Sequence, residues 1–163
     1  MQAEPRLRLR RAHAAECATL SAIAHAAKAH WGYSDADLAR WREDLTLTED
    51  SVRTRPTQAA EIDGRVVGFY QLAHDGRACR LEHFWVHPAF MHRGIGRRLL
   101  IDALERAARE GATCLAIDAD PHAEPFYLAC GAVRTDVVAA PIAAQPDRVR
   151  PQLRIELAAA RRA

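Results

Sequence analysis

The stretch of residues 78–109 most constrains the fold, because it combines a strand, a glycine loop and an amphipathic helix. Residues 78–86 have strand composition, and Pro88 ends the strand because proline donates no ladder hydrogen bond. Apolar residues recur at helical spacing over residues 99–107, and Gly111 is a natural helix end. Such a strand, loop and helix leave backbone N–H groups free at the positive end of the helix dipole, where phosphate binds.

Residues 91–96 form this loop, and two common phosphate-binding motifs do not describe it. A P-loop needs Gly-x4-Gly-Lys-Ser/Thr, which the chain lacks, and a dinucleotide fingerprint needs a third glycine where Leu99 stands. The loop resembles instead the acyl-CoA loop of the GNAT superfamily of N-acetyltransferases, Gln/Arg-x-x-Gly-x-Gly/Ala, with Met91 in place of Gln/Arg. In that family, backbone N–H groups of the loop hold the coenzyme A pyrophosphate. The resemblance implies coenzyme contacts at Met91, His92, Arg93, Gly94, Ile95, Gly96, Arg97 and Arg98.

A second segment, residues 120–132, resembles the family pattern Asn-x-x-Ala-x-x-Phe/Leu-Tyr-x-x-x-Gly-Phe/Ala. We assign His122 to the asparagine position and Tyr127 to the tyrosine position, both as coenzyme contacts. In many GNAT enzymes this tyrosine protonates the departing thiolate, and a phenol with a pKa near 10 keeps its proton at neutral pH. A core tyrosine beside Phe126 is the alternative.

The same resemblance implies a reaction centre on the strand before the loop. Counting back from Met91, the backbone N–H of Phe84 should face the acetyl carbonyl, and that of Val86 the pantetheine amide. Glu82 is the candidate general base, and His83 is a second candidate because its intrinsic pKa suits that role. Strand-surface polarity is the alternative for both side chains.

Candidate acceptor residues lie in two other places. Residues 14–29 predict a helix and residues 35–45 another, and in GNAT enzymes the segment between such helices covers the acceptor site. Trp31 and Tyr33 are therefore candidates for the acceptor wall, with core packing as the alternative. Arg148 lies in a predicted loop at residues 139–151 and is a candidate contact for an anionic part of the acceptor, or else a solvated arginine.

We predict one GNAT N-acetyltransferase domain over residues 1–163, because that length can bury its own core. A hairpin is predicted at residues 57–62 and 65–73, turning at Asp63-Gly64. Further strands are predicted at residues 113–118, 132–138 and 152–157. The resemblance implies an α/β fold, with a mixed sheet of about seven strands flanked by about four helices.

Composition and charge exclude several partners. The formal net charge is only +2, and the alternating residues 6–10 favour an outer strand over a nucleic-acid patch. His83, His87 and His92 have no zinc-ligand spacing, so no metal is expected. Free cysteines, no long apolar run and no signal-peptide segment predict a cytoplasmic protein that does not bind membranes.

The predicted function is transfer of an acetyl group from acetyl-CoA, as co-substrate, to a primary amine of a small molecule or a protein. The alternative is a catalytically degenerate GNAT domain that binds acyl-CoA as a sensor or interaction module, which the departures at Met91 and His122 favour. The resemblance leaves the acceptor, the acyl-chain length and the oligomeric state open, and a homodimer is one of the states it allows.

Overall fold

A computed structural model describes residues 6–158 of the chain. These residues belong to two compact units, the first formed by residues 6–72 and Glu82–Asp102 and the second by Ala73–Leu81 and residues 103–158. The strands form one seven-stranded sheet in the order β1-β2-β3-β4-β5-β7-β6. The α/β fold with a mixed sheet is therefore confirmed.

The first unit carries the N-terminal helices and strands. Its strands are β1 (Leu7–Arg11), β2 (Thr57–Ile62), most of β3 (Arg65–Asp75) and the second half of β4 (Ala78–Val86). Its helices are α1 (Cys17–Ala29), α2 (Asp35–Arg40), α3 (Glu49–Thr54) and the first half of α4 (Ile95–Arg109).

The hairpin of β2 and β3 turns where the sequence predicts it. Asp63 and Gly64 have φ angles of 50° and 80°. Two successive positive φ angles are typical of the tight turn whose twist matches that of the flanking strands. The strands pair antiparallel, with Thr57 opposite Gln71.

The core of the first unit lies between α1 and the strands. Leu20 and Phe69 are fully buried in it, and Trp85 packs against the same cluster from β4. The apolar face of α1 therefore covers one face of β3 and β4.

The second helix is shorter than predicted. Ser34 caps it by accepting a hydrogen bond from the Asp37 N–H at 3.1 Å, and the helix ends at Arg40 rather than at residue 45. Helix α3 was not predicted; Thr48 caps it by accepting from the Ser51 N–H at 3.1 Å. A helix of six residues has too few turns to show a periodic apolar stripe.

Two arginines of β1 form ion pairs and hydrogen bonds with other parts of the first unit. Arg10 forms ion pairs with Glu16 at 2.6 Å and Glu61 at 2.7 Å, and hydrogen bonds to both carboxylates raise its pKa. Arg11 donates to the Val52 carbonyl at 3.2 Å. These contacts support the outer-strand interpretation.

The second unit contains the remaining strands and α5 (Glu124–Ala129). The strands are β5 (Cys114–Asp118), β6 (Val133–Ala139) and β7 (Val149–Glu156). β4 pairs parallel to β5 over Ala78, Cys79 and Arg80, as predicted for the two strands joined by α4. β7 pairs antiparallel to both β5 and β6.

The start of β7 corrects the sequence prediction, since the strand begins at Val149 rather than residue 152 and includes the buried Pro151. The Pro151 carbonyl accepts from the Ala119 N–H at 3.0 Å. In an antiparallel strand, the N–H and C=O of one residue point to the same neighbour. The N–H that proline lacks would therefore face Ala119, which lies just past the end of β5. The missing donor costs no hydrogen bond within the β5–β7 ladder.

Candidate functional site

The loop between β4 and α4 turns through two left-handed residues. His92 has a φ of 62° and Gly94 a φ of 78°, after a short 3-10 helix, Pro88–Phe90. Only a few per cent of non-glycine residues adopt positive φ, and histidine is among those that tolerate it. Backbone that alternates between left-handed and right-handed conformations directs successive N–H groups into a concavity that binds anions.

Gly94 is the point at which the loop becomes helix. Its carbonyl accepts the first helical hydrogen bond, from the Arg98 N–H at 3.1 Å. The N–H groups of Ile95, Gly96 and Arg97 are therefore the donors that a helix start leaves without helical partners. A Cβ added to Gly94 would meet no atom within 4 Å, so the space beside it can admit a ligand group.

Positive side chains surround this loop. Arg93, Arg97 and Arg98 are exposed, and the Arg93 guanidinium carbon lies 5.1 Å from the centre of the Phe90 ring. Cation–π attraction of this kind stabilises the position of the guanidinium beside the loop. The helix dipole and these charges together suit a pyrophosphate group, and the partly buried Met91 supplies no charge to it.

The predicted reaction-centre residues lie on the last part of β4. Glu82, Phe84 and Val86 are all partly buried. The parallel ladder to β5 ends at Arg80, so residues 82–86 extend past its last pair. The Glu82 carboxylate lies 3.4 Å from Nη1 of Arg55, which follows α3.

His83 has a defined environment on the same strand. The Trp85 indole Nε1–H donates to its Nδ1 at 3.2 Å, and the Phe69 ring lies 6.0 Å away, centre to centre. Burial lowers the pKa of His83 to about 4, and the Arg55 charge lowers it further while Glu82 opposes the shift. At neutral pH the ring is neutral and too weakly basic to take a proton from an ammonium group efficiently.

The two aromatic residues of the predicted acceptor wall differ in their surroundings. Tyr33 is buried, and its ring meets the Trp41 ring edge-on at 4.8 Å. The Lys28 ammonium lies 5.1 Å from the centre of the Tyr33 ring and 4.6 Å from that of Trp41. Trp31 is partly exposed and lies against the His30 ring at 5.5 Å. Tyr33 therefore packs within the unit, whereas Trp31 presents ring surface to solvent.

In the second unit, Tyr127 is buried in α5, where its ring meets that of Phe126 at 5.2 Å. Burial raises its pKa above the ordinary phenol value, and nearby Cys130 and Asp120 add to the rise. The phenol consequently keeps its proton across the physiological pH range.

The coenzyme contact of His122 stays a prediction, and the segment before α5 offers a second residue for the asparagine position. Counted from Ala123 and Tyr127, the family pattern places its asparagine at Asp120 and not at His122. His122 is exposed, and its backbone N–H donates to Asp120 Oδ1 at 2.8 Å. A count along the pattern would have found Asp120, whose side chain is close in shape to asparagine.

Arg148 forms a buried ion pair with Asp120, with Nη2 3.5 Å from Oδ2 and side-chain exposures of 3% and 7%. Its Nη1 also donates to the Ala140 carbonyl at 3.1 Å. Arg148 is thus not the solvated arginine considered above. Its contacts join the loop of residues 140–148 to the segment that leads into Tyr127, and its acceptor contact stays a prediction.

Residues 6–158 also bear on two other kinds of site. They contain no group of three or more His, Cys, Asp or Glu side chains placed to hold a metal ion. Within the same residues, every helix is too short or too polar to cross a membrane.

Comparisons with known proteins agree with these features. The model of the Acetyltransferase (GNAT) family matches residues 18–132. The paia N-acetyltransferase of Thermoplasma acidophilum, solved in complex with coenzyme A, superposes with a TM-score of 0.77 at 17% identity, covering 93% of this chain and 99% of that one.

Two further structures are also similar. The GCN5-related N-acetyltransferase from Rhodopseudomonas palustris has 25% identity and a TM-score of 0.71, with 96% of this chain and 98% of that chain covered. The putative acetyltransferase yncA of Salmonella typhimurium, solved with acetyl-CoA, has 21% identity and a TM-score of 0.71, with 97% and 98% covered. A comparison with curated proteins finds no match. Because the family model spans most of the chain, this protein belongs to the Acetyltransferase (GNAT) family.

Proposed function

We propose that the protein transfers the acetyl group of acetyl-CoA to a primary amine of a small molecule or a protein. The observation that carries the proposal is the loop at residues 91–98. Its left-handed turns at His92 and Gly94 lead into the free N–H groups of the 15-residue α4, beside exposed arginines. That combination suits the pyrophosphate of coenzyme A.

Acetyl-CoA supplies an acetyl thioester. The residues of this chain position it, stabilise the charge that develops on its carbonyl oxygen, and donate or accept protons. We place the backbone N–H of Phe84 against the carbonyl oxygen, where negative charge develops as the amine attacks, and that of Val86 against the pantetheine amide. A fixed donor of this kind is worth about 3 kcal/mol of transition-state stabilisation. As the new C–N bond forms and the C–S bond breaks, Tyr127 gives its phenolic proton to the departing sulfur.

Glu82 is the general base in this scheme. The attacking amine must first lose a proton from its ammonium form, directly to the carboxylate or through a water molecule. Nη1 of Arg55 lies 3.4 Å from this carboxylate and is its cationic partner on the neighbouring segment. His83, neutral and engaged at Nδ1 by Trp85, does not compete for this role.

The test is a screen of amines with detection of free-thiol release, combined with calorimetry of acetyl-CoA binding. Gly94→Asp should abolish coenzyme binding, because a carboxylate would enter the space meant for pyrophosphate. Gly64→Asp is the matched control, since Gly64 also has positive φ, 80°, and open space around its missing Cβ. Normal acetyl-CoA binding by the Gly94→Asp variant would show that the site is misplaced.

The non-catalytic alternative shares the coenzyme site, so binding does not separate the two functions. Tight acetyl-CoA binding without turnover of any amine would favour a sensor or interaction module. With Asp120 rather than His122 at the asparagine position, the departure there is a carboxylate of similar shape in place of an amide, which weakens the case for this alternative.

The cellular location and the metal requirement belong to the same proposal. Cys79 and Cys114 are buried and free, and Cys17 and Cys130 are partly exposed and free. Free thiols suit a reducing compartment, so we place the protein in the cytoplasm. The roles given to Phe84, Glu82 and Tyr127 need no metal ion, and activity should survive treatment with a chelator.

A further inference from the structure

His83 is held in one tautomer by its neighbour on the strand. An indole Nε1–H can only donate a hydrogen bond, and the Trp85 group lies 3.2 Å from His83 Nδ1. Nδ1 must therefore present its lone pair. A neutral imidazole with a bare Nδ1 carries its hydrogen on Nε2.

The contacts of His83 also fix which face of the sheet it occupies. Its ring lies beside Phe69, and Trp85 packs on the core cluster that contains Phe69 and Leu20 of α1. His83 is thus on the face that α1 covers. That helix leads directly into Trp31, the partly exposed ring of the predicted acceptor wall.

The Nε2–H group of His83 makes no hydrogen bond within residues 6–158. The His83 side chain is partly exposed, and within residues 6–158 its hydrogen bonding is accounted for by the Trp85 contact at Nδ1. The charged groups that act on the ring are Glu82 and Arg55, which already form an ion pair with each other. The chain thus holds a neutral, oriented donor one residue before Phe84.

We infer that His83 donates a hydrogen bond from Nε2 to an oxygen of the acceptor molecule, and so selects amines that carry a carbonyl, hydroxyl or carboxylate oxygen close to the amino group. This inference rests on the proposed function, because it takes Phe84 as the reaction centre. It assigns His83 to specificity and leaves proton removal to Glu82. A site that hydrogen-bonds a substrate oxygen rejects the analogue that lacks it, because its polar group is then left without a partner.

The first experiment reads the tautomer without needing turnover. In protein labelled with ¹⁵N at histidine, the His83 ring should show a protonated Nε2, a bare Nδ1 and no titration between pH 8 and pH 5. Trp85→Phe removes the indole donor and should allow Nδ1–H to become populated. A hydrogen on Nδ1 in the unsubstituted protein, or titration near pH 6.5, would overturn the inference.

The second experiment compares acceptors in matched pairs: an alkylamine and an amino alcohol of equal chain length, and an amino acid amide beside a peptide with the same N-terminal residue. His83→Gln keeps an N–H donor near the Nε2 position, whereas His83→Phe keeps only the ring. We expect His83→Phe to raise the KM of oxygen-bearing acceptors by about tenfold or more, with no change for the alkylamine or acetyl-CoA. His83→Gln should recover most of that loss.

The outcomes separate the two proposals. Equal effects of His83→Phe on all amines, or the loss of a pH-dependent limb of kcat, would overturn the donor role. The absence of turnover with every amine would overturn the proposed function, and the donor role with it, while the NMR result would still report the tautomer. If the peptide responds and the amino acid amide and amino alcohol do not, the oxygen belongs to a protein acceptor rather than a small molecule.

Discussion

Replacing Arg148 with methionine should destabilise the protein by about 3 kcal/mol, because it leaves the buried Asp120 carboxylate without its cationic partner. The side chains of the pair are only 3% and 7% exposed, so water cannot take the place of the guanidinium. Breaking a buried ion pair typically costs about 3–5 kcal/mol. We take the lower end because Asp120 Oδ1 keeps its hydrogen bond from the His122 N–H at 2.8 Å.

The assay is thermal and urea-induced unfolding, followed by circular dichroism. For a chain of this size, 1 kcal/mol shifts Tm by about 2–4 °C, so Arg148→Met should lower Tm by about 6–12 °C. Arg150→Met is the matched control. Arg150 lies two residues after Arg148 and forms an ion pair with Asp118, and the side chains of that pair are 40% and 42% exposed. An exposed pair contributes about 1 kcal/mol or less, and its loss should shift Tm by no more than about 4 °C.

A second variant separates the charge from the lost packing. Asp120→Asn combined with Arg148→Met removes both charges, so it should recover part of the stability lost in the single variant. Equal Tm values for Arg148→Met and Arg150→Met would refute the argument from burial. An increased acceptor KM with unchanged Tm in Arg148→Met would instead support the predicted acceptor contact.

Three further predictions concern other parts of the molecule. Tyr127→Phe should lower kcat by about a hundredfold or more while Tm and acetyl-CoA binding stay unchanged; a variant that keeps half of the activity would exclude the phenol as the acid. Trp31→Ala should raise the acceptor KM, whereas Tyr33→Ala should chiefly lower Tm, since only Trp31 is partly exposed; the reverse pattern would exchange their roles. Gly68→Ala should cost about 1–3 kcal/mol of stability in urea unfolding, because an added Cβ would lie 2.9 Å from the Trp85 carbonyl oxygen; unchanged stability would mean that the strands can separate there at little cost.

The sequence alone was sufficient wherever local patterns decide structure. Strand β4 occupies residues 78–86 as predicted, α4 ends before Gly111, and the β2–β3 hairpin turns at Asp63-Gly64. Alternation, helical periodicity and turn chemistry act over a few residues, so they can be recognised without tertiary contacts. The turn at residues 91–94 and the helix after it could be predicted for the same reason, because the glycines and the helical pattern are contiguous.

Tertiary structure decided what depends on residues far apart in the chain. Pro151 joins a strand because its missing N–H falls beyond the end of β5, which no local pattern reveals. Arg148 is buried because Asp120 lies opposite it, whereas Arg150 in the same segment stays exposed. The weak basicity of His83 likewise comes from the packing of α1 and Phe69 around its strand, since burial disfavours the charged ring. Such desolvation depends on the whole surroundings of a side chain, and these exist only once the chain has folded.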